Sequence, residues 1–317
     1  MLRSNTFMDL FSANRLASSN PFTNVYGLGR SVIAFGTLLT LLFNDTNLLF
    51  KTAQGIPDCP LCFDLTKITI FCLFKSISLN LAKWISILIL CLVISGWRPY
   101  FTGLLHWWVS FSLNTSAIVL DGGDQVASVI TLLLIPLTLA DRRKNHWVND
   151  SENRSKYLLI VGNLTIILIQ LQVSVIYFHA VVGKIQVEEW ISGTALYYFL
   201  QDPLFSDAPT IIIQLFKSPF ILTGMTWIVL LTEIFLSVGL FLDYKHKRHL
   251  LYLGIAFHLV IILVFGLVTF ACSMIGALII YLMPQESDFF KGRFVGIYKI
   301  ALKLRQRVTS KYNSTTG

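Results

Sequence analysis

Residues 220–242 read FILTGMTWIVLLTEIFLSVGLFL. One charge, Glu233, interrupts an otherwise uncharged run. A helix crosses the hydrocarbon core of a bilayer in about 20 apolar residues. This stretch therefore reads as a transmembrane helix with a carboxylate inside it. The whole 317-residue chain has the same character: 55 % apolar, 13 % charged, mean hydropathy +0.67. An average soluble domain is roughly 25 % charged. Disorder, a disulfide-dense miniprotein and an ordinary water-soluble enzyme are excluded. An all-α, polytopic bundle of membrane helices is the expected fold.

Working outward, the next apolar stretch, Leu250–Met283, is too long for one span. Two short spans meeting near Gly266 are expected. Towards the N-terminus, spans are expected at Tyr157–Gly183, Gln125–Ala140, Tyr100–Leu120, Leu81–Gly96 and Val25–Phe43. Leu65–Leu79 carries Lys67 and Lys75 and reads as interfacial or extramembrane rather than spanning. Asp121-Gly122-Gly123-Asp124 reads as a turn, and Asp243–His249 as a basic loop. The division is residues 1–24 as a cytoplasmic or interfacial start, 25–283 as the membrane domain and 284–317 as a basic tail. Within that tail, Phe290–Val308 has the pattern of a surface-lying amphipathic helix. Met1–Asn24 is polar and mixed and does not read as a signal peptide.

The net charge is +8. No basic stretch sits in a soluble module, so nucleic acid is not the expected partner; the lipid bilayer is. With eight spans and the N-terminus inside, one side holds eighteen Lys and Arg in its loops and tails against five on the other. The positive-inside rule then places both termini in the cytoplasm. A seven-span reading would put the basic tail outside.

Few residues can carry chemistry. Ionisable groups inside a membrane are costly and mark function. Glu233 lies within the sixth span, and His258 falls at a similar depth in the seventh. A Glu233–His258 hydrogen-bonded pair is expected, as a polar clamp between helices, a proton relay or a contact to a ligand head group. His179 and Lys184 stand at the outer end of the fifth span, followed by Trp190. His106 reads as a satisfied buried histidine, and Trp107-Trp108 as an interfacial anchor. Cys59 and Cys62 form a C-x-x-C in an outer loop, with Cys72 nearby. An outer disulfide and a redox-active pair, with Cys72 as a resolving thiol, both remain open. Metal is not expected, because zinc would need two further ligands. No H-E-x-x-H or G-x-S-x-G marks a protease.

The run Tyr177-Phe178-His179-Ala180-Val181-Val182-Gly183-Lys184, then Trp190 and Ser192-Gly193-Thr194-Ala195-Leu196-Tyr197-Tyr198, resembles the HTTM family. That family is the transmembrane domain shared with vitamin K-dependent gamma-carboxylase. Thr232-Glu233, His258, Gly266, Phe270 and Met274-Ile275 fit its later spans. Asn20-Pro21-Phe22-Thr23-Asn24-Val25-Tyr26-Gly27-Leu28-Gly29-Arg30-Ser31, the Gly122-Gly123-Asp124-Gln125 turn and the paired cysteines are similar to its SdpB branch. The resemblance implies a multi-pass protein of the bacterial plasma membrane. It implies action with a small SdpA-like partner in maturing a secreted antimicrobial peptide toxin from its precursor. It also implies that Lys184 acts as a base towards a membrane quinone; Glu233 and His258 are candidate catalytic residues on the ground of their place inside the membrane. Two other expectations stand beside toxin maturation: a quinone-linked oxidoreductase using Lys184 with Cys59 and Cys62, and a peptide transporter or immunity-type binding protein.

Overall fold

The computed structural model describes residues 16–52, 59–60, 62–118, 120–148, 154–202 and 210–285. The amphipathic helix expected at Phe290–Val308 lies outside them. Eight helices of 15 residues or more run through the described part: α1 Asn24–Phe43, α2 Leu79–Ile94, α3 Pro99–Ser116, α4 Gly122–Ala140, α5 Lys156–Ile185, α6 Pro219–Val238, α7 Tyr244–Phe265 and α8 Val268–Leu282. There is no strand among the described residues.

Each helix starts where the local chemistry satisfies its free N–H groups. The Thr23 hydroxyl accepts from the Val25 amide before α1, and Ser78, Ser155 and Asp243 cap α2, α5 and α7 in the same way. Pro99 and Pro219 open α3 and α6, where a missing N–H loses nothing. Gly266 closes α7 in the left-handed conformation at φ +67°, which only glycine adopts freely. The expected break between the last two spans is therefore where the sequence puts it.

Two expectations change. Asp121 is not the start of a turn but the N-cap of α4, accepting from the Gly123 and Asp124 amides, so Gly122–Asp124 form its first helical turn. The basic stretch after Asp243 is already helical, because α7 begins at Tyr244. The interfacial reading of Leu65–Leu79 fits two short pieces, a 3₁₀ turn over Asp64–Ile68 and a helix over Ile70–Leu73. Trp108 anchors that segment, donating its indole N–H to the Ile68 carbonyl at 2.8 Å.

The core is built around α8, which is buried along most of its length. It meets α1 through glycine. A Cβ at Gly29 would sit 2.5 Å from the Ile280 side chain and 2.7 Å from the Gly276 carbonyl. Close approach through small residues is how helices associate where lipid removes the hydrophobic drive. One apolar cluster joins α1, α4, α5, α7 and α8; a second joins α1, α2 and α3 over Leu49, Phe50, Ile70 and Phe71.

Among the described residues, five helices are both long and apolar enough to cross a membrane: α1, α4, α5, α7, and α6 with the turn that follows it. Helices α2 and α8 are apolar but shorter. The two ends of the bundle are distinct. At the near end, where α1 begins, Arg98 N–H donates to the Lys144 carbonyl and the Arg143 guanidinium to the Thr23 carbonyl. At the far end, Ile118 N–H donates to the Leu49 carbonyl, and Thr269 donates to Asp121 at 2.6 Å.

The far end also corrects the cysteine pairing. The disulfide joins Cys62 to Cys72, with Cα atoms 5.7 Å apart, and not Cys59 to Cys62. Cys59 instead turns its thiol to the Ser116 carbonyl at 3.4 Å. The short helix Ile70–Leu73 folds back so that Cys72 faces Cys62, a return that sequence spacing does not reveal. Maleimide labelling without reductant is expected to spare Cys62 and Cys72 and to modify both once reductant is added. Labelling of both before reduction overturns the pairing.

Candidate functional site

The site is assembled by α5, α6 and α7. Helix α5 is 30 residues long, and Tyr177, Val181 and Lys184 follow one another along one face of its last turns. Side chains on a helix lean towards its N-terminus, so Lys184 points back into the bundle. Its ammonium donates to Glu233 Oε1 at 2.8 Å. The carboxylate is 8 % exposed and the lysine 23 %, so this is a largely desolvated ion pair. The same ammonium lies 5.3 Å from the centre of the Trp190 ring, a cation–π contact. The short helix Glu188–Ile191 carries that ring, and Trp190 packs in an apolar cluster with Leu196, Leu222 and Leu230.

Two helical turns before Lys184, the Tyr177 hydroxyl and His258 Nε2 lie 2.9 Å apart. His258 is 1 % exposed and its ring meets the edges of Phe257 and Phe270. The expected Glu233–His258 hydrogen bond is not the one formed. Lys184 takes the carboxylate and Tyr177 takes the imidazole, both from α5. Two buried polar atoms are left over: Glu233 Oε2 and His258 Nδ1 have no hydrogen-bond partner among the described residues. Buried polar atoms without protein partners are rare in folded proteins.

Of the expected residues, Lys184, Glu233, His258 and Trp190 are therefore gathered by the three helices. His179 is exposed on the other side of α5, next to Phe178. Cys59, Cys62 and Cys72 belong to the loop packed on α3. No group of three or more His, Cys, Asp or Glu able to hold a metal occurs among the described residues.

A second polar cluster at the near end escaped the sequence reading. Arg30 is fully buried; it donates to Thr102 Oγ1 at 2.9 Å and lies 3.5 Å from His146 Nδ1. Asp141, also fully buried, accepts from the Tyr26 hydroxyl and receives the Arg143 guanidinium at 2.7–3.0 Å. Arg154 stacks on Phe22 at 4.4 Å. Burial first, and then the charges of Arg30, Arg143 and His106, hold His146 well below the ordinary histidine range. The available signal was a lone arginine five residues inside an apolar run. His106 also departs from expectation: it is buried, but Nε2 has no partner among the described residues.

A helical bundle built on glycine contacts, carrying a buried Lys–Glu pair and a Tyr–His pair, is an integral membrane protein with an intramembrane polar site. The HTTM domain model matches residues 127–285, which contain that site. The chain is 44 % identical over 276 residues to the uncharacterized protein YitO of Bacillus subtilis (strain 168), covering 84 % of this chain and 88 % of the relative. It is 41 % identical over 277 residues to the sporulation-delaying protein SdpB of the same organism, covering 85 % of this chain and 84 % of the relative. The chain belongs to the SdpB-like branch of the HTTM family. No solved structure matches it.

Proposed function

We propose that this chain is a membrane component in the production of a secreted peptide toxin of the sporulation-delaying type. It works with a small SdpA-like partner on the toxin precursor. The observation that carries this reading is the 41 % identity to sporulation-delaying protein SdpB along most of both chains. The protein lies in the bacterial plasma membrane with eight spans and both termini in the cytoplasm. Two features support that orientation. Three segments assigned to the cytoplasm meet at the near end, bringing Arg98, Arg143 and Arg154 with them. The disulfide sits at the opposite end, where an oxidising exterior would keep it.

Deleting the gene is expected to abolish mature toxin and leave its precursor, as read by mass spectrometry of cells and medium. Normal processing with death of the producer would replace this reading by an immunity role. Mature toxin retained inside would replace it by transport.

A second reading, quinone-linked chemistry, is favoured by Glu233 Oε2 and His258 Nδ1. These are two uncommitted polar atoms beside aromatic Trp190 and Phe270. Glu233 and His258 would hold the polar ring of a membrane quinone, which supplies two-electron chemistry when bound. Lys184 holds or releases a proton at Nζ, with Glu233 Oε1 as its partner. The Cys62–Cys72 pairing removes the Cys59–Cys62 dithiol from this reading. Saturable binding of a menaquinone analogue by the purified protein, weakened in Glu233→Gln, is the expected result; no binding overturns it.

A further inference from the structure

The Cys62–Cys72 disulfide takes no part in either reading above, yet its setting lets it open. Both cysteines are only half-buried, and thiol–disulfide exchange requires such access. The segment that carries them is held in place by other contacts. Ile70 and Phe71 are fully buried. The Ile70 amide donates to Ser112 Oγ at 3.0 Å, the Trp108 indole to the Ile68 carbonyl at 2.8 Å, and the Ser116 hydroxyl lies 3.3 Å from that of Thr69. All of these tie the segment to α3 without using either sulfur. The disulfide itself joins residues ten apart, and a short ring removes less chain entropy than a long one. The bond can break and re-form while the segment stays on α3.

The two sulfurs differ in their surroundings. Lys75 Nζ donates to the Pro60 carbonyl oxygen at 3.0 Å, and Cys62 Sγ lies 3.3 Å from that same oxygen. An ammonium and a sulfur thus share one oxygen as a neighbour. A lysine beside a cysteine favours the thiolate, and a sulfur that is a better thiolate leaves a disulfide faster. Cys62 is therefore the leaving sulfur and Cys72 the one attacked. Cys59 keeps its thiol but turns it to the Ser116 carbonyl at 3.4 Å, so it stands outside the couple. Phe63 and Leu73, each next in sequence to one of the bonded cysteines, are exposed. Burying them favours a peptide with apolar residues beside its cysteines over a small hydrophilic thiol.

We propose that the Cys62–Cys72 disulfide is a thiol–disulfide exchange site that oxidises the dithiol of a peptide to a disulfide. A thiolate of the peptide attacks Cys72 Sγ. A peptide–Cys72 bond forms, the Cys62–Cys72 bond breaks, and Cys62 leaves as a thiolate beside Lys75. The second peptide thiolate then attacks the peptide sulfur of the mixed disulfide, and Cys72 leaves in turn. The two protons given up by the peptide thiols end on Cys62 and Cys72. The peptide loses two electrons and the chain gains two, so the chain's own disulfide is the oxidant. A low-molecular-weight disulfide restores it by the same two exchanges in reverse. The step stands independently of toxin production.

The purified full chain, oxidised and without air, is mixed with a short synthetic peptide bearing two cysteines, each beside a leucine. Mass spectrometry follows the peptide disulfide and the alkylation of Cys62 and Cys72. Peptide oxidation about tenfold faster than by oxidised glutathione at equal concentration is expected, with one peptide disulfide formed per chain. Cys59→Ser should match the parent, and Cys62→Ser/Cys72→Ser should abolish the reaction. Lys75→Met is expected to slow it about fivefold and to change its pH profile, and Lys75→Arg to restore it. Size-exclusion and circular-dichroism profiles of the reduced chain and of each variant should match the parent. A rate no greater than that of oxidised glutathione overturns the proposal, as does oxidation that persists in Cys62→Ser/Cys72→Ser. Loss of the folded profile on reduction overturns it too, because the bond would then be structural.

Discussion

Asp141→Ala is expected to destabilise the folded protein by about 3–5 kcal/mol, the range for removing one partner of a buried ion pair. Asp141 is fully buried and is the hub of the near end. It receives Nε and Nη2 of Arg143, the Tyr26 hydroxyl and, at 3.7 Å, Arg154. Without the carboxylate, two guanidiniums with side chains 2 % and 7 % exposed keep their charges and lose their counter-ion. Arg30, equally buried, adds to the repulsion. A fall in melting temperature and in yield of monodisperse protein is the measurement. Asp141→Asn retains acceptor capacity and is expected to lose less. A melting temperature within a degree or so of the parent for Asp141→Ala would show that the guanidiniums find other partners.

The same cluster sets a pH dependence. His146 has a folded-state pKa pushed well below its unfolded value by burial and by surrounding positive charge. Below about pH 6.5 the unfolded chain binds a proton that the folded chain does not, so stability falls by about 1.4 kcal/mol per pH unit. Above that pH this contribution is flat. His146→Phe, which removes the titrating group, is expected to flatten the melting curve between pH 6.5 and pH 5; an unchanged slope contradicts the assignment.

The fold was legible because span detection depends on runs of apolar residues, and those are long here. Gly266 divided the last stretch correctly because only a left-handed residue ends α7 there. The failures have a common cause. The Cys62–Cys72 bond, the Tyr26–Asp141–Arg143 hub and the partner of Glu233 are contacts between residues distant in sequence or brought together by a chain reversal. Hydropathy contains no term for them. Asp121 was misread because an aspartate before two glycines looks the same as a turn and as an N-cap. Nor does hydropathy show that Arg30, within the first apolar run, is the largest fully buried side chain among the described residues. For the site, the sequence supplied Lys184, Glu233, His258 and Trp190. It could not say that Lys184 turns inward, since that depends on α6 lying against the end of α5.

Stability and function separate most cleanly at the Lys184–Glu233 pair. Glu233→Ala strands an ammonium near the Trp190 ring, and Lys184→Ala strands a carboxylate that is 8 % exposed. Each single change is expected to abolish toxin output, but each also destabilises, so neither alone identifies a working site. Lys184→Met/Glu233→Leu removes both charges at similar volume, and replacing a buried pair in this way is often neutral or stabilising. The double variant is therefore expected to recover the melting temperature and membrane abundance lost by either single change, with a coupling of about 0.5–3 kcal/mol. If the pair serves chemistry, toxin output stays absent in that folded double variant. If the pair is a clamp between α5 and α6, output returns with stability. His258→Gln gives an independent reading. Its amide can keep a hydrogen bond to Tyr177 but lacks the ring nitrogen Nδ1, which has no partner among the described residues. Output below a tenth of the parent, at parental abundance, is expected if that atom meets the substrate. Full output would confine His258 to holding Tyr177.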